Sequence, residues 1–238
     1  MKRTVNLHAA PIRDANNRVI GSVVLALDVT EDRENAEREG WRRRRAECLA
    51  NLALETLTVQ PAFDNLDETA ARVAKAVDGI VQIYLYRPNS GGLELVGWSA
   101  QEPGLDWVKR YFAAHPYKPG EGLAGTVFQI GGPLLFYEIR ANAVIDFARD
   151  DEERKVKAAM RQQSLIACPI ESYGERIGAV ILSQADPRRN FDAEGLEFAQ
   201  PVAERTGGAS DTHRLTRVPH GGPRAADVTQ RSRVAAPG

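Results

Sequence analysis

The tightest constraint on the fold comes from two stretches that each spell strand, turn and strand with no room for a helix between them. GIVQIYLYRP (79–88) is rich in β-branched and aromatic residues, Asn89 to Gly92 form a turn, and LELVGWSA (93–100) returns. SLIACPIESYGERIGAVILSQAD (164–186) repeats the plan and turns at Tyr173 to Glu175. Strands joined this closely run antiparallel, because a parallel neighbour needs a long crossover. Helical stretches lie around them. NLDETAARVAKAVD (65–78) carries its apolar residues at helical spacing, and DDEERKVKAAMRQQ (150–163) has acids at its start and bases later, as the helix dipole favours. DAEGLEFAQPVAERT (192–206) closes as a helix with Asp192 as cap and Pro201 inside, and PLLFYEI (133–139) is a further strand. Residues 60–206 are therefore expected to form an α+β sandwich on an antiparallel sheet, not a doubly wound one.

The remaining chain divides into three pieces. TVNLHAAPIRDANNRVIGSVVLALDVT (4–30) reads as two strands joined by a turn at Asp14, Asn16 and Asn17. A lone hairpin is marginal in water, so it calls for a partner surface. Residues 31–59 read as a long helix with Thr30 as cap, Glu31 and Asp32 in the first turn, and a stripe of Trp41, Cys48, Leu49, Leu52 and Leu57. Such a helix often pairs with its twin, which points to a homodimer. Arg42 to Arg45 read as a solvated face rather than a nucleic-acid site. Residues 207–238 show no apolar periodicity and no aromatic residue, and are expected to be disordered, with Gly207-Gly208 ending the last helix.

Charge and cysteine usage narrow the function. With 31 basic against 32 acidic residues, no global field points to nucleic acid or an anionic membrane. The two cysteines, Cys48 and Cys168, form neither a disulfide framework nor a zinc cluster, so a reducing cytoplasm is expected. The apolar run VIGSVVLAL (19–27) is too short to span a bilayer and lacks a cleavage pattern.

PGEGLAGTVFQIGGPLLF (119–136) raises the question of a phosphate loop. The segment before it is not a strand, and no Gly-Lys-Ser/Thr follows. The glycines Gly120, Gly122 and Gly125 are better suited to close backbone approach at a sharp turn into a helix at 123–130, with Leu123, Val127 and Ile130 facing inward. On 80–86, alternation puts Val81, Ile83 and Leu85 on an aliphatic face for helices, and Gln82, Tyr84 and Tyr86 on a face suited to a mixed pocket.

GEGLAGTVFQIGGPLLF, followed by SLIACPIESYGERIGAVILSQADPRRNFDAEGLEFAQPVAER, resembles the GAF domain over residues 60–206. HAAPIRDANNRVIGSVVLALDVTEDR looks like the last two strands of a PAS domain with its exit into a connecting helix. The resemblance implies an antiparallel sheet of about six strands with terminal helices on one face and a pocket on the other. It implies a sensory and dimerisation module of a bacterial signal-transduction protein, non-enzymatic, with a kinase, phosphatase or cyclase output on a separate or missing part. A chain that begins within a PAS-like hairpin and breaks after its last helix reads as a fragment of a larger protein.

Candidate pocket residues are Tyr84, Trp98, Trp107, Phe112, Leu123, Val127, Phe136 and Cys168, although the aromatics would equally fill a core. No cofactor is specified. Bilin attachment needs a cysteine beside a histidine, and Cys168 has no such neighbour in sequence. Haem would need His115, the histidine of this block. Reduction of free methionine sulfoxide by GAF enzymes uses clustered cysteines, which a block with one cysteine lacks.

Overall fold

The computed structural model of the protein describes residues 3–57, 66–139 and 148–216. Strands β1 (Val5–Arg13) and β2 (Val19–Asp28) pair antiparallel as a separate two-stranded sheet. Their turn forms because Asp14 Oδ1 accepts the N–H groups of Asn16 and Arg18, at 2.8 and 2.9 Å, while Asn17 takes a φ of 64°. Leu7, Ile20 and Val24 of this hairpin are exposed.

Helix α1 (Thr30–Leu57) follows. Its start is held by Asp28, whose Oδ1 accepts from the Thr30 N–H at 3.1 Å and hydroxyl at 2.6 Å. Thr30, the expected cap, instead accepts the Thr4 N–H at 2.9 Å and ties the helix to β1. Cys48 and Leu52 are buried and Leu49 is half-buried against the core; the Leu57 side chain lies outside the described residues. The arginine run is not simply a solvated face. Arg42 grips both oxygens of Glu194, and the guanidinium of Arg45 lies 5.9 Å over the Phe198 ring.

The main unit comprises α2 (Leu66–Val77), β3 (Ile80–Arg87), β4 (Gly92–Ala100), α3 (Asp106–Ala114), α4 (Gly122–Ile130), β5 (Leu134–Phe136), α5 (Asp151–Met160), β6 (Ser164–Ser172), β7 (Glu175–Gln184) and α6 (Ala193–Thr216). The sheet order is β4-β3-β7-β6-β5, antiparallel throughout. Five strands pair among the described residues, against the six or so implied by resemblance. The second hairpin turns where expected, with Tyr173 and Gly174 at φ of 47° and 80°.

Two layers cover this sheet. Helices α2 and α6 pack on one face, with α1 against them, where Val81, Leu182 and Ile166 stand in one cross-strand row and Ile83, Val180 and Cys168 in the next. Helices α3, α4 and α5 cover the other, against Ile80, Tyr84, Ala167, Ala179 and Ile181. The face assignment read from β3 by alternation is the one observed.

Helix α6 does not end at Gly207-Gly208; it runs to Thr216, and residues 217–238 lie outside the described residues. A Cβ at Gly207 would stand 1.9 Å from the carbonyl oxygen of Glu171. The glycine is therefore a contact surface, letting the helix backbone lie directly on β6.

Candidate ligand site

On the face opposite the terminal helices, Ala167 of β6 and Ala179 of β7 leave room beside the larger side chains of β3. Tyr84 stands beside Ala179, and Gln82 beside Ile181 and then Ala167. Over this floor opens a cavity of about 430 Å³, within the range of small-molecule sites. Its walls mix Phe112, Leu123, Leu134, Phe136, Met160 and Leu165 with the polar groups of Gln82, Tyr84, Tyr117, Thr126, Glu138, Lys157 and Gln162.

The glycine segment forms one rim. Gly120 and Gly122 line the cavity with φ of 85° and 57°. A Cβ on Gly125 would lie 2.1 Å from the Lys118 carbonyl oxygen, so α4 can rest on the preceding loop only with glycine there. Arg176 of β7 donates to the carbonyls of Phe128 and Gln129 and closes the C-terminal end of this helix. Val127 is buried as expected and Leu123 half-buried, but Ile130, expected to face inward, is the last residue of the helix, before the left-handed Gly131, and is exposed.

Behind the cavity lies a buried ionic cluster centred on Glu153. Asp150 caps α5 by accepting the Glu153 N–H at 2.7 Å. The Glu153 carboxylate reaches back to the Arg149 N–H at 2.8 Å and Nε at 3.0 Å, a variant of the capping box. The Tyr117 hydroxyl donates to Oε1 at 2.5 Å, and Lys157 Nζ stands 3.2 Å from the same oxygen. Burial alone would raise the carboxyl pKa, but the bonds from Tyr117 and Arg149 and the charge of Lys157 overcome it and hold Glu153 at about 2. Burial pulls Lys157 down against the opposing pull of Glu153. Arg149 also lies 4.6 Å over the Tyr117 ring and donates to the carbonyls of His115 and Pro116, at 3.2 Å each. Inside the cavity, Gln82 Nε2 donates to the Tyr84 hydroxyl at 2.8 Å. Tyr84 is fully buried, and burial raises its pKa.

An antiparallel sheet with a cavity on one face and helices α2 and α6 on the other matches what the sequence comparisons find. The family profile of the GAF domain matches residues 63–209, more than half of the chain. The chain belongs to the GAF domain family. No curated protein sequence matches it. Among solved structures, it is similar to the GAF domain of a phosphoenolpyruvate-protein phosphotransferase from Coxiella burnetii, at 16% identity and TM-score 0.55, covering 73% of this chain and 96% of that one. It is also similar to an A. aeolicus nlh2 GAF domain in an inactive state, at 20% identity and TM-score 0.52, covering 74% and 99%. A third is free methionine-R-sulfoxide reductase from Neisseria meningitidis in complex with its substrate, at 18% identity and TM-score 0.52, covering 74% and 91%. At these identities the likeness is one of fold.

Within this GAF domain, four of the eight expected pocket residues line the cavity: Tyr84, Phe112, Leu123 and Phe136. Trp98 and Val127 belong to the same apolar cluster without reaching the lining. Trp107 is 40% exposed on α3, because Val108, Tyr111 and Phe112 take that helix's inner face. Cys168 is on the wrong side of the sheet: alternation along β6 sends Leu165 and Ala167 to the cavity side, and Ile166, Cys168 and Ile170 to the helices. Burial pushes its thiol up to about 12, and that of Cys48 to about 11. His115 is exposed, bonds the Tyr111 carbonyl through Nδ1 at 2.8 Å, and stacks on the Tyr111 ring. It does not line the cavity.

The sequence reading missed Tyr117, Lys157 and Glu153. The signal for Glu153 was present in DDEER as an Asp-x-x-Glu helix start, but a capping box does not reveal that its carboxylate is buried.

Proposed function

We propose that this GAF domain is a non-enzymatic sensory module that binds a small molecule in its cavity and relays occupancy to its terminal helices. The observation that carries this reading is the position of the cavity on the same strands that hold α2 and α6, against which α1 packs. Tyr84, Leu165 and Ile181 line the cavity, while their chain neighbours Ile83, Ile166, Val180 and Leu182 pack under the helices. A change in strand spacing on one face therefore alters packing on the other, and ~1–3 kcal/mol of coupling suffices for switching.

The helices that receive the change would also assemble the protein, as a homodimer through α1 and α6, and pass the signal to a kinase, phosphatase or cyclase. A cytoplasmic protein would serve this role; no helix among the described residues is long and apolar enough to cross a membrane. The hairpin β1–β2 fits the end of a PAS domain feeding the connecting helix. Support for a non-enzymatic role comes from the thiols: Cys48 and Cys168 both lie in the apolar cluster under the helices, with pKa values raised by burial, so neither is a poised nucleophile facing the cavity.

Native mass spectrometry of protein purified gently from cells tests the reading. A discrete mass excess is expected that disappears on denaturation and is missing from Thr126→Phe, which fills the cavity. An excess unaffected by Thr126→Phe, or a haem or bilin absorbance band, would overturn it.

A further inference from the structure

The cavity wall carries a specific chemical preference, and the inference rests on the ligand-binding reading above. Most polar side chains of the wall are already engaged. Lys157 meets Glu153 at 3.2 Å and has a further partner, the Tyr117 hydroxyl donates to Glu153 at 2.5 Å, and the Thr126 hydroxyl donates to the Gly122 carbonyl at 2.6 Å. Glu138 is exposed, and water screens its charge. Gln82 and Tyr84 differ. They stand two residues apart on β3, both line the cavity, and they are 4% and 0% exposed. Gln82 Nε2 donates to the Tyr84 hydroxyl at 2.8 Å. That bond uses one amide N–H and one lone pair of the phenol oxygen. It leaves the Gln82 Oε1 acceptor and the Tyr84 O–H donor with no hydrogen-bond partner among the described residues. Burial raises the Tyr84 pKa, so the phenol keeps that proton. An acceptor and a donor thus stand side by side in the cavity, and Phe112, Tyr117 and Phe136 add aromatic wall. A sheltered pair of this kind favours a ligand that answers both groups over one that leaves either unmet.

We propose that the cavity takes an uncharged, planar cyclic lactam, a ring that carries an N–H next to a C=O. Its N–H donates to Gln82 Oε1, its carbonyl accepts the Tyr84 proton, and its flat ring packs on the aromatic wall. The ligand is uncharged because the buried Lys157–Glu153 pair is already closed and offers a second charge no counterion. Ile83, between the two recognition residues, packs under the helices on the opposite face. A ligand bonded to both neighbours of Ile83 therefore reports itself on the strand that α2 packs against.

Isothermal titration of the full chain at neutral pH with 2-quinolone, N-methyl-2-quinolone, quinoline and quinoline-2-carboxylate tests this. The lactam is expected to bind at least about tenfold more tightly than the N-methyl form, which lacks the donor, and than quinoline, which lacks both lactam groups. Tyr84→Phe and Gln82→Met are each expected to weaken 2-quinolone about tenfold while quinoline stays within about twofold, with circular dichroism confirming the fold of each. If neither variant folds, the order of the probes on the unaltered chain decides. Equal binding of the lactam, its N-methyl form and quinoline, or a lactam preference that survives both variants, overturns the assignment to Gln82 and Tyr84 and leaves the cavity reading standing. Tighter binding of the carboxylate than of 2-quinolone overturns the uncharged ligand. Binding by none of the four overturns the lactam, while a cell-derived ligand seen by mass spectrometry would still uphold the cavity.

Discussion

The two faces of the five-stranded sheet solve the same packing problem differently. Under the terminal helices, Val81, Ile83, Ile166, Val180 and Leu182 meet Ala70, Val73, Ala74 and Ala199, branched against small, and the layer fills. Under α3, α4 and α5 the side chains are larger and many carry polar tips: Tyr84, Trp98, Tyr111, Phe112 and Tyr117. Rings with hydroxyls must find partners and cannot interdigitate as branched aliphatics do, so this face holds a cavity and an ionic cluster. One face supplies cohesion, and the other supplies room and polarity for a ligand.

The sharpest way to break the comparison is at the polar centre of the cavity face. Glu153→Ala leaves Arg149, Lys157 and Tyr117 without their common acceptor and is expected to cost about 3–5 kcal/mol, read by urea unfolding. The same carboxylate predicts a pH dependence. Its folded pKa is lowered to about 2, so its contribution is fully present above the ordinary value near 4.5 and is lost as pH falls toward 2. Unfolding titrations over that window should show a steeper acid loss for the unaltered chain than for Glu153→Gln; equal slopes would refute the cluster. On the aliphatic face, Leu182→Ala should cost about 2–5 kcal/mol with no change in ligand affinity beyond that of global stability. At the rim, Gly125→Ala forces a Cβ against the Lys118 carbonyl and should cost about 1–3 kcal/mol by the same measurement. Smallest in stability is Thr126→Phe, which enters existing space: the midpoint should move by less than about 1 kcal/mol while ligand retention is lost. A large loss of stability there would mean that the cavity is not open room.

Much of the fold was legible because it is local. The turn residues of both hairpins, the alternation of β3 and the helical spacing of α2 each act within a few residues. Half of the expected pocket was legible for the same reason: Tyr84 follows from strand alternation, and Leu123 from the glycine turn beside it. Cys168 failed because a strand buried on both faces carries apolar residues at every position, as SLIACPI does, and alternation then gives no sign of which side is which. Gly207-Gly208 failed because a glycine that permits close packing and one that ends a helix look alike in sequence.

By itself, then, the sequence determined an antiparallel α+β domain, its order of elements and the role of its central glycines, since those follow from propensity and short-range geometry. Only the tertiary structure decided that Tyr117 from the loop before α4, Arg149 just before α5, and Glu153 and Lys157 within it would converge behind one cavity. That convergence depends on how layers stack across the sheet, a long-range arrangement that no local pattern encodes.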